Sequence, residues 1–242
     1  MSLAPLLDLA GVRAGLAAAR EAVDAALRHR ALRRSGGAVA AEVSLRSAVA
    51  SAALEGHEYD LEQVRSGVLT DPVVQGALRA SAALDGLARP WSTAPRQVLA
   101  RLHVLAARDI VDEESLGRPV TGPAVASRLD TLAHVVTAGP RVPALLRAAV
   151  VHGELLALQP FAGPNGVVAR AAARLTLMSA GLDPRGLLAV DVGHLARKPE
   201  YVGSAGAFAT GTPDGLRSWF THYAAAVRVA AAELAAIADS VA

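Results

Sequence analysis

Apolar residues recur at intervals of three and four along most of the chain, a spacing that places them on one face of an α-helix. The first such stretch predicts one long helix over residues 4–34, which a serine and two glycines end. The pattern continues almost to the C-terminus, with breaks at glycine and proline. Further helices are predicted near residues 38–55, 60–67, 73–87, 97–109, 124–137, 143–158, 167–180, 193–207 and 213–239.

Composition narrows the fold class to all-α. Of the 242 residues, 52% are hydrophobic but only 3% are aromatic, and alanine, the best helix former, dominates the apolar set. The β-branched and aromatic runs that mark strands are scarce. We therefore expect an all-α helical bundle with an N-terminal helical extension.

A segment with two prolines, residues 88–95, is the best candidate boundary within the chain. It separates a helical region over residues 1–90, which contains the helix near 38–56, from a core over residues 97–242. We expect the core to carry the functional site, because the most informative loop lies within it.

Charge and cysteine content exclude several classes of function. The net charge is only +2 and the basic residues are scattered, so we expect no nucleic-acid partner. The absence of cysteine excludes disulfides, thiol nucleophiles and thiolate metal sites. The seven histidines show no paired ligand spacing, and no uninterrupted apolar run reaches the roughly 18 residues that span a bilayer. We expect a cytoplasmic protein without a membrane partner.

The segment over residues 159–170 is the strongest motif in the chain. Taken by itself it is a turn of proline and glycine before an amphipathic helix. The segment also resembles the signature of the Fic (Fido) family, His-x-Phe-x-(Asp/Glu)-Gly-Asn-Gly-Arg-x-x-Arg. It matches that signature at Phe161, Asn165, Gly166 and Arg170. The resemblance implies a Fic-like helical fold over about half the chain.

Four positions depart from the family signature. Gln159 stands at the position of the catalytic histidine, and an amide cannot act as a general base. Gly163 stands at the position of the metal-binding acid, so no Mg²⁺ is expected at the usual site. Pro164 removes one backbone N–H from the loop, and Val167 replaces the first arginine, a phosphate clamp. The resemblance therefore carries over no catalytic residue.

Some ligand-binding positions of the family are retained. The resemblance implies that a phosphate-bearing ligand, with ATP or another nucleotide as candidates, would contact the second half of the loop and the residues around it. The candidate residues are Asn165, Gly166, Arg170, Arg174 and Tyr201.

A second motif lies N-terminal to the core. Ser51, Glu55 and Gly56 resemble the family's inhibitory helix, (Ser/Thr)-x-x-x-Glu-(Gly/Asn). In that arrangement the glutamate pairs with the second arginine of the signature and blocks the seat of the nucleotide γ-phosphate. The resemblance predicts that Glu55 and Arg170 meet as a buried pair whose loss would be destabilising.

These observations leave three hypotheses for function. The first is a degenerate Fic protein that is inactive as an AMP transferase and keeps a ligand-binding or regulatory role. The second is a divergent transferase that moves a nucleotide monophosphate, or a related phosphate-containing group, onto a protein hydroxyl. It would need another base, for which Glu154 and His152 are the nearest candidates. The third is a structural or regulatory module with an unknown protein partner, or a homodimer formed through the alanine-rich helices.

The family's flap, a hairpin that aligns the target polypeptide, should precede the helix that contains His152. The corresponding segment, residues 119–137, has little strand character and is predicted to be mainly helical. Docking of a target by strand addition is therefore not expected.

Overall fold

The computed structural model describes residues 3–139 and 142–241, and within them the chain is helical with no strand. The all-α prediction is confirmed. Short 3₁₀ segments cover Ala4–Asp8, Arg30–Arg33 and Glu113–Ser115. The α-helices are α1 Val12–Leu27, α2 Gly36–Leu54, α3 Leu61–Arg65, α4 Pro72–Ala82, α5 Leu84–Trp91, α6 Pro95–Ala107, α7 Pro123–Thr137, α8 Ala144–Leu158, α9 Asn165–Ser179, α10 Val190–Leu195, α11 Lys198–Ala209 and α12 Pro213–Ser240.

The prediction of a single helix over residues 4–34 is wrong, because the helical conformation is interrupted at two positions. Gly11 adopts a left-handed conformation, with φ of 79°, immediately before α1. The second break is at His29, whose extended backbone leads into the 3₁₀ segment while its Nδ1 accepts a hydrogen bond from the Ala31 N–H. Apolar spacing continues across both breaks, and so it did not reveal them.

The helix predicted over residues 193–207 is also two helices, α10 and α11. Pro199 lies in the first turn of α11. Proline has no N–H to donate and its ring clashes with a preceding helical turn, so it favours the first turn of a helix and marks the start of a new one here. Both helices contribute to the site described below, α10 through Asp191 and α11 through Tyr201.

The segment considered as a domain boundary is packed rather than extended over its first half. Residues 88–91 form the last turn of α5, and Trp91 is fully buried. Its indole Nε1 donates a hydrogen bond of 3.0 Å to Thr176 Oγ1 on α9. The N-terminal helices therefore share one core with the rest of the chain.

The centre of the bundle is α9, which is buried continuously from Gly166 to Met178. It pairs with α8 and is surrounded by α2, α4, α5, α6 and α10. A helix that is buried on all sides is expected to be apolar all round, and α9 departs from this at two arginines. Those two arginines need partners inside the protein.

The helix that carries the predicted inhibitory motif, α2, is unusually apolar. Within the described residues it is the one helix long and apolar enough to span a bilayer, and 44% of its most apolar 18-residue window is buried. It packs against α3, α4, α9, α10 and α12. Its apolar character is therefore accounted for by helix packing inside the bundle.

Candidate functional site

The loop between α8 and α9 is shaped by its own side chains. The preceding helix ends at Gln159, which is exposed and left-handed with φ of 44°. Asn165 closes the loop: its Oδ1 accepts from the Phe161 N–H at 3.0 Å, and its Nδ2 donates to the Phe161 carbonyl at 2.6 Å. Nδ2 also lies 3.3 Å from the Gly163 carbonyl oxygen. The asparagine that the family signature requires is thus a loop-closing residue in this chain.

His103 anchors the same loop from α6. Its ring is stacked on Phe161, with centroids 4.6 Å apart and planes inclined by 11°. Its Nε2–H donates to the Ala162 carbonyl at 2.7 Å, and its Nδ1 accepts from the Gly117 N–H at 2.9 Å. These partners fix the neutral tautomer, since a carbonyl only accepts and an N–H only donates. Burial lowers the pKa of His103, which favours the same neutral form. Sequence reasoning missed this residue, because only a long-range contact marks it.

The segment where the family carries its flap also contacts the loop. The Val120 N–H donates a hydrogen bond of 2.8 Å to the Pro160 carbonyl. Three residues later α7 begins, and it extends to Thr137. The segment is mainly helical, as its sequence indicates, and one backbone hydrogen bond joins it to the signature loop.

Arg170 is the most heavily bonded side chain of the site, and only 2% of it is exposed. Its Nε donates to Ser51 Oγ at 2.8 Å, and its Nη2 donates to the Ser51 carbonyl at 2.9 Å. Nη2 also donates to Glu55 Oε1 at 2.7 Å, and Nη1 donates to the Tyr201 hydroxyl at 3.1 Å. Asp191 adds a buried carboxylate, with Oδ1 at 3.7 Å from Nε. The predicted contact between Glu55 and Arg170 is present, within a larger network.

The electrostatics of this network favour a permanently charged guanidinium. Burial alone would lower the pKa of Arg170, but Tyr201, Glu55 and Asp191 together raise it above its ordinary value. Burial raises the pKa of Tyr201, an effect that Arg170 partly offsets. Arg170 is therefore held as a buried cation between two carboxylates, an arrangement that is stable only while those partners remain.

Gly166 allows the Glu55 carboxylate to approach the first turn of α9. A Cβ atom at position 166 would collide with Glu55 Oε1 and would lie within 3.0 Å of Arg170 Nη1. The carboxylate therefore occupies the space beside the N-terminal turn of α9, where backbone N–H groups and the helix dipole favour an anion. The predicted inhibitory residue and the predicted ligand residues meet at this point.

The C-terminal end of α2 is held in place by the chain's only lysine. Gly56, with φ of 94°, ends the helix immediately after Glu55. Lys198 Nζ donates to the Ala53 carbonyl in the last turn at 3.1 Å and to Glu58 Oε1 at 2.7 Å. A cation beside the last carbonyls of a helix is favourable, so Lys198 stabilises the docked position of α2.

Arg174 lies one turn beyond Arg170 on α9 and binds elsewhere. Its Nη1 donates to Ser81 Oγ at 3.0 Å and its Nη2 donates to the Gly186 carbonyl at 3.2 Å. It is 6% exposed. Arg174 therefore binds α4 and the loop after α9, and it has no hydrogen bond to the signature loop.

The two candidate replacement bases are both engaged. His152 is fully buried, with Nε2 at 3.0 Å from the Tyr201 hydroxyl, and burial followed by the Arg170 charge holds its pKa well below the ordinary value. Glu154 Oε1 accepts a hydrogen bond of 2.7 Å from Arg128 Nε. Neither side chain has a hydrogen bond to a residue of the signature loop.

His152 belongs to a buried aromatic cluster behind Arg170. His194 Nδ1 lies 2.9 Å from His222 Nε2, and the His194 ring is 4.7 Å from the Tyr201 ring. The Trp219 ring is 5.1 Å from that of His152, and its indole N–H donates to a backbone carbonyl of α8. Burial, with a smaller effect of a nearby arginine, lowers the pKa of His222 to about 4. These histidines are neutral packing groups at neutral pH.

The residues at the positions where the family signature has an acid and its first arginine, Gly163 and Val167, do not fit a magnesium ion. Gly163 has no carboxylate, and a Cβ there would lie 2.9 Å from Val111 Cγ1. Val167 is buried and apolar. Mg²⁺ prefers oxygen ligands, usually carboxylates and phosphates. Among residues 3–139 and 142–241, no group of three or more His, Asp or Glu side chains is arranged to hold a metal ion.

Two solved structures superpose on most of the chain. A Fic family protein from Desulfovibrio desulfuricans G20 aligns with 90% of this chain and 73% of its own, with a TM-score of 0.72 and 22% sequence identity. Fic-1 from C. elegans aligns with 99% of this chain and 76% of its own, with a TM-score of 0.74 and 20% identity. A comparison of the sequence with protein-family models finds no match, and a comparison with curated proteins finds none either. The chain has the fold of the Fic proteins; at these identities the likeness establishes the fold alone.

Proposed function

We propose that this chain is a Fic-fold protein that does not transfer AMP by the family's usual chemistry and that retains an anion-binding pocket closed by its own α2. One observation carries the proposal. The Glu55 carboxylate lies against Gly166 and accepts a hydrogen bond from Arg170, at the place where the phosphate of a ligand would be bound. The carboxylate acts as a built-in anion in a site that has kept its cation.

The residues at the positions that differ from the family signature support the proposal that transfer chemistry is lost. A transferase of this type needs a base to take the proton of the attacking hydroxyl, and Gln159 has no titratable group near neutral pH. It also needs charge neutralisation on the phosphates, which neither Gly163 nor Val167 supplies. We infer that neither Mg²⁺ nor a catalytic base belongs to this pocket.

The contacts of the replacement candidates disfavour the divergent-transferase hypothesis. His152 is buried behind Tyr201, and Glu154 is paired with Arg128. Arg170 would remain as the single guanidinium for a phosphate, and four of its contacts are already within the protein. The ligand class that fits best is a phosphate-bearing metabolite or nucleotide that displaces Glu55, and the role that fits best is ligand-dependent regulation through an unknown protein partner in the cytoplasm.

The test is thermal unfolding of wild type, Glu55→Gly and a control, Glu58→Gly, with a panel of nucleotides and phosphate-bearing metabolites, with and without Mg²⁺. A ligand at about 100 times its dissociation constant stabilises the folded state by about 2.7 kcal/mol. We expect a ligand-dependent shift in Glu55→Gly that is much smaller in wild type and in Glu58→Gly, and that does not require Mg²⁺.

Two outcomes would contradict the proposal in different ways. No shift for Glu55→Gly with any ligand would overturn the anion-binding pocket and leave a protein-binding module. Nucleotide transfer to the protein itself or to a protein mixture, detected by mass spectrometry with Mg²⁺ present, would overturn the loss of transfer chemistry.

A further inference from the structure

A small, partly open cavity lies between α2, α4, α9 and α10, beside the Arg170 network. Its volume is about 10 Å³, and its polar lining comes from Ser47, Ser51, Ser81, Arg174 and Asp191. The rest of the lining is alanine and valine. The cavity shares Ser51 and Asp191 with the Arg170 network, but neither Glu55 nor Gly166 lines it.

Three polar atoms at the cavity have no hydrogen-bond partner within the protein. They are Ser47 Oγ, Arg174 Nε and Asp191 Oδ2. The three residues are 1%, 6% and 3% exposed, so bulk water does not satisfy these atoms. Buried polar atoms are almost always hydrogen-bonded, because burial without a partner is costly. Three such atoms around one cavity indicate a bound molecule that serves all of them.

The chemistry of the three atoms defines that molecule. Arg174 Nε–H is a donor, the Asp191 oxygen is an acceptor, and the Ser47 hydroxyl can be either. One positive and one negative side chain oppose each other, so the site favours neither a bare cation nor a bare anion. A volume of about 10–15 Å³ is the least room that one water molecule needs, and the cavity offers about that much.

We propose that the cavity binds one water molecule, which accepts a hydrogen bond from Arg174, donates one to Asp191 and shares a third with Ser47. The water joins α2 to both α9 and α10. Ser47 precedes Ser51 by one helical turn on the same face of α2, and Ser51 is the direct partner of Arg170. The inhibitory-type helix is therefore attached at three successive points: through water at Ser47, and directly at Ser51 and Glu55.

The direct test is a high-resolution crystal structure of the full chain, with data collected both in sodium salts and after a soak in rubidium or caesium chloride. We expect one density peak about 2.7–3.2 Å from the Ser47, Arg174 and Asp191 atoms, with no anomalous signal from the heavy cation. An anomalous peak would identify the bound species as a monovalent cation and would overturn the proposal of a water molecule. Side chains that turn to bond each other directly, with no peak between them, would overturn the proposal.

A pair of variants tests the same inference in solution, through the order of two melting temperatures. In Ser47→Ala the cavity keeps its room and the water keeps two partners. In Ser47→Val the added methyl groups displace the water and leave two buried atoms, Arg174 Nε and Asp191 Oδ2, without a hydrogen-bond partner. We expect Ser47→Val to lower the melting temperature more than Ser47→Ala does.

The difference between the melting temperatures of the two variants must be corrected for the lower helix propensity of valine. The variant Ala41→Val, at an exposed position of α2, supplies that correction. A dry cavity predicts the opposite order, because the valine would fill a void and gain packing contacts. A corrected melting temperature of Ser47→Val equal to or above that of Ser47→Ala would therefore overturn the bound water.

Discussion

The two halves of the signature segment differ in how they are attached to the protein. In the first half, residues 159–164, Gln159 and Gly163 are exposed, and no side chain forms an ion pair. In the second half, residues 165–170, Asn165 closes the loop and Arg170 is bonded to α2 and α11. The first half matches the family signature only at Phe161, whereas the second half matches it at Asn165, Gly166 and Arg170 and departs from it at Val167.

The second half shows how a contact at the position of the family's inhibitory pair can also hold the fold together. A side chain that touches only substrate contributes nothing to folding, so its replacement has little effect on stability. Arg170 is buried among two carboxylates, a serine and a tyrosine, and its replacement leaves charges without a partner. The contact between Glu55 and Arg170 thus contributes to the fold whether or not there is activity to inhibit.

The largest effect should come from Arg170→Met. The substitution leaves the Asp191 carboxylate buried without its cation, and breaking a buried pair in this way costs about 3–5 kcal/mol. Urea denaturation should show the loss as a lower midpoint with little change in slope. The control is Arg217→Met, which removes a surface pair with Asp214 and should change stability by less than about 0.5 kcal/mol. Equal losses of stability for the two variants would show that Arg170 contributes no more to the fold than a surface arginine. That result would contradict the special attachment of the second half of the segment.

The next largest effect concerns pH and the aromatic cluster behind Arg170. The folded-state pKa of His222 is about 4, against an ordinary value of about 6.5. Above pH 6.5 the group is neutral in both states; as pH falls towards 4 only the unfolded chain gains a proton, so stability is lost. The loss is on the order of 3 kcal/mol.

His222→Gln should therefore flatten the pH profile of the unfolding free energy between pH 6.5 and 4, while His134→Gln, at an exposed position, should not. His222 faces His194 and Arg197, and both remain in the variant. Asp183 acts in the opposite direction, because burial raises its pKa to about 6 and its contribution to stability falls as pH rises from 4 to 6. Asp183 is present in both proteins, and so are His152 and His194, whose pKa values burial holds well below the ordinary value. The difference between the two profiles therefore measures His222 together with its effect on these two neighbours, and the slope should decrease without vanishing. Parallel profiles would contradict the assignment.

A smaller loss is expected for Glu55→Gln, about 1–2 kcal/mol, because a neutral hydrogen bond replaces one between charged groups. The effect is below that of Arg170→Met since 26% of the Glu55 side chain is exposed and Asp191 still balances the cation. Glu58→Gln is the matched control: its side chain is 67% exposed, and water screens its pair with Lys198, so the substitution should change stability little. If chemical denaturation gives Glu55→Gln no larger effect than Glu58→Gln, the contact with Arg170 is not stabilising.

The smallest expected change is a gain in stability, from a substitution in the first half of the signature segment. Gln159 is left-handed, a conformation that costs a residue with a Cβ roughly 1 kcal/mol. Gln159→Gly should therefore raise the unfolding free energy by up to about 1 kcal/mol, while Gln159→Ala, which keeps the Cβ, should not. A loss of stability in Gln159→Gly would mean that the glutamine side chain makes a contact of its own.

The sequence was sufficient for the fold class and for the contact between Glu55 and Arg170, because alanine-rich helical periodicity and two short motifs carry that information. It did not reveal His103, whose contacts with the loop come from 59 residues away. Nor did it reveal Asp191 or the cavity beside it. A buried side chain of this kind is defined by which helices the fold brings together, and no local spacing records that.

The errors in the helix boundaries have the same origin. Apolar spacing predicts which face of a segment is buried, and that face continues from α1 into the 3₁₀ segment after it. The left-handed Gly11 and the extended His29 change the direction of the chain without changing the spacing. Turn chemistry and not hydrophobic periodicity sets these boundaries.

The position of the chain's only lysine gives the protein a natural reporter group. Lys198 Nζ binds the last turn of α2, and 37% of its side chain is exposed. An amine-selective reagent reacts with the free, unprotonated amine, so acylation of this side chain should be slow while α2 is docked and faster when the helix detaches. The rate of a single chemical modification would therefore follow the opening of the pocket in solution, without an engineered label.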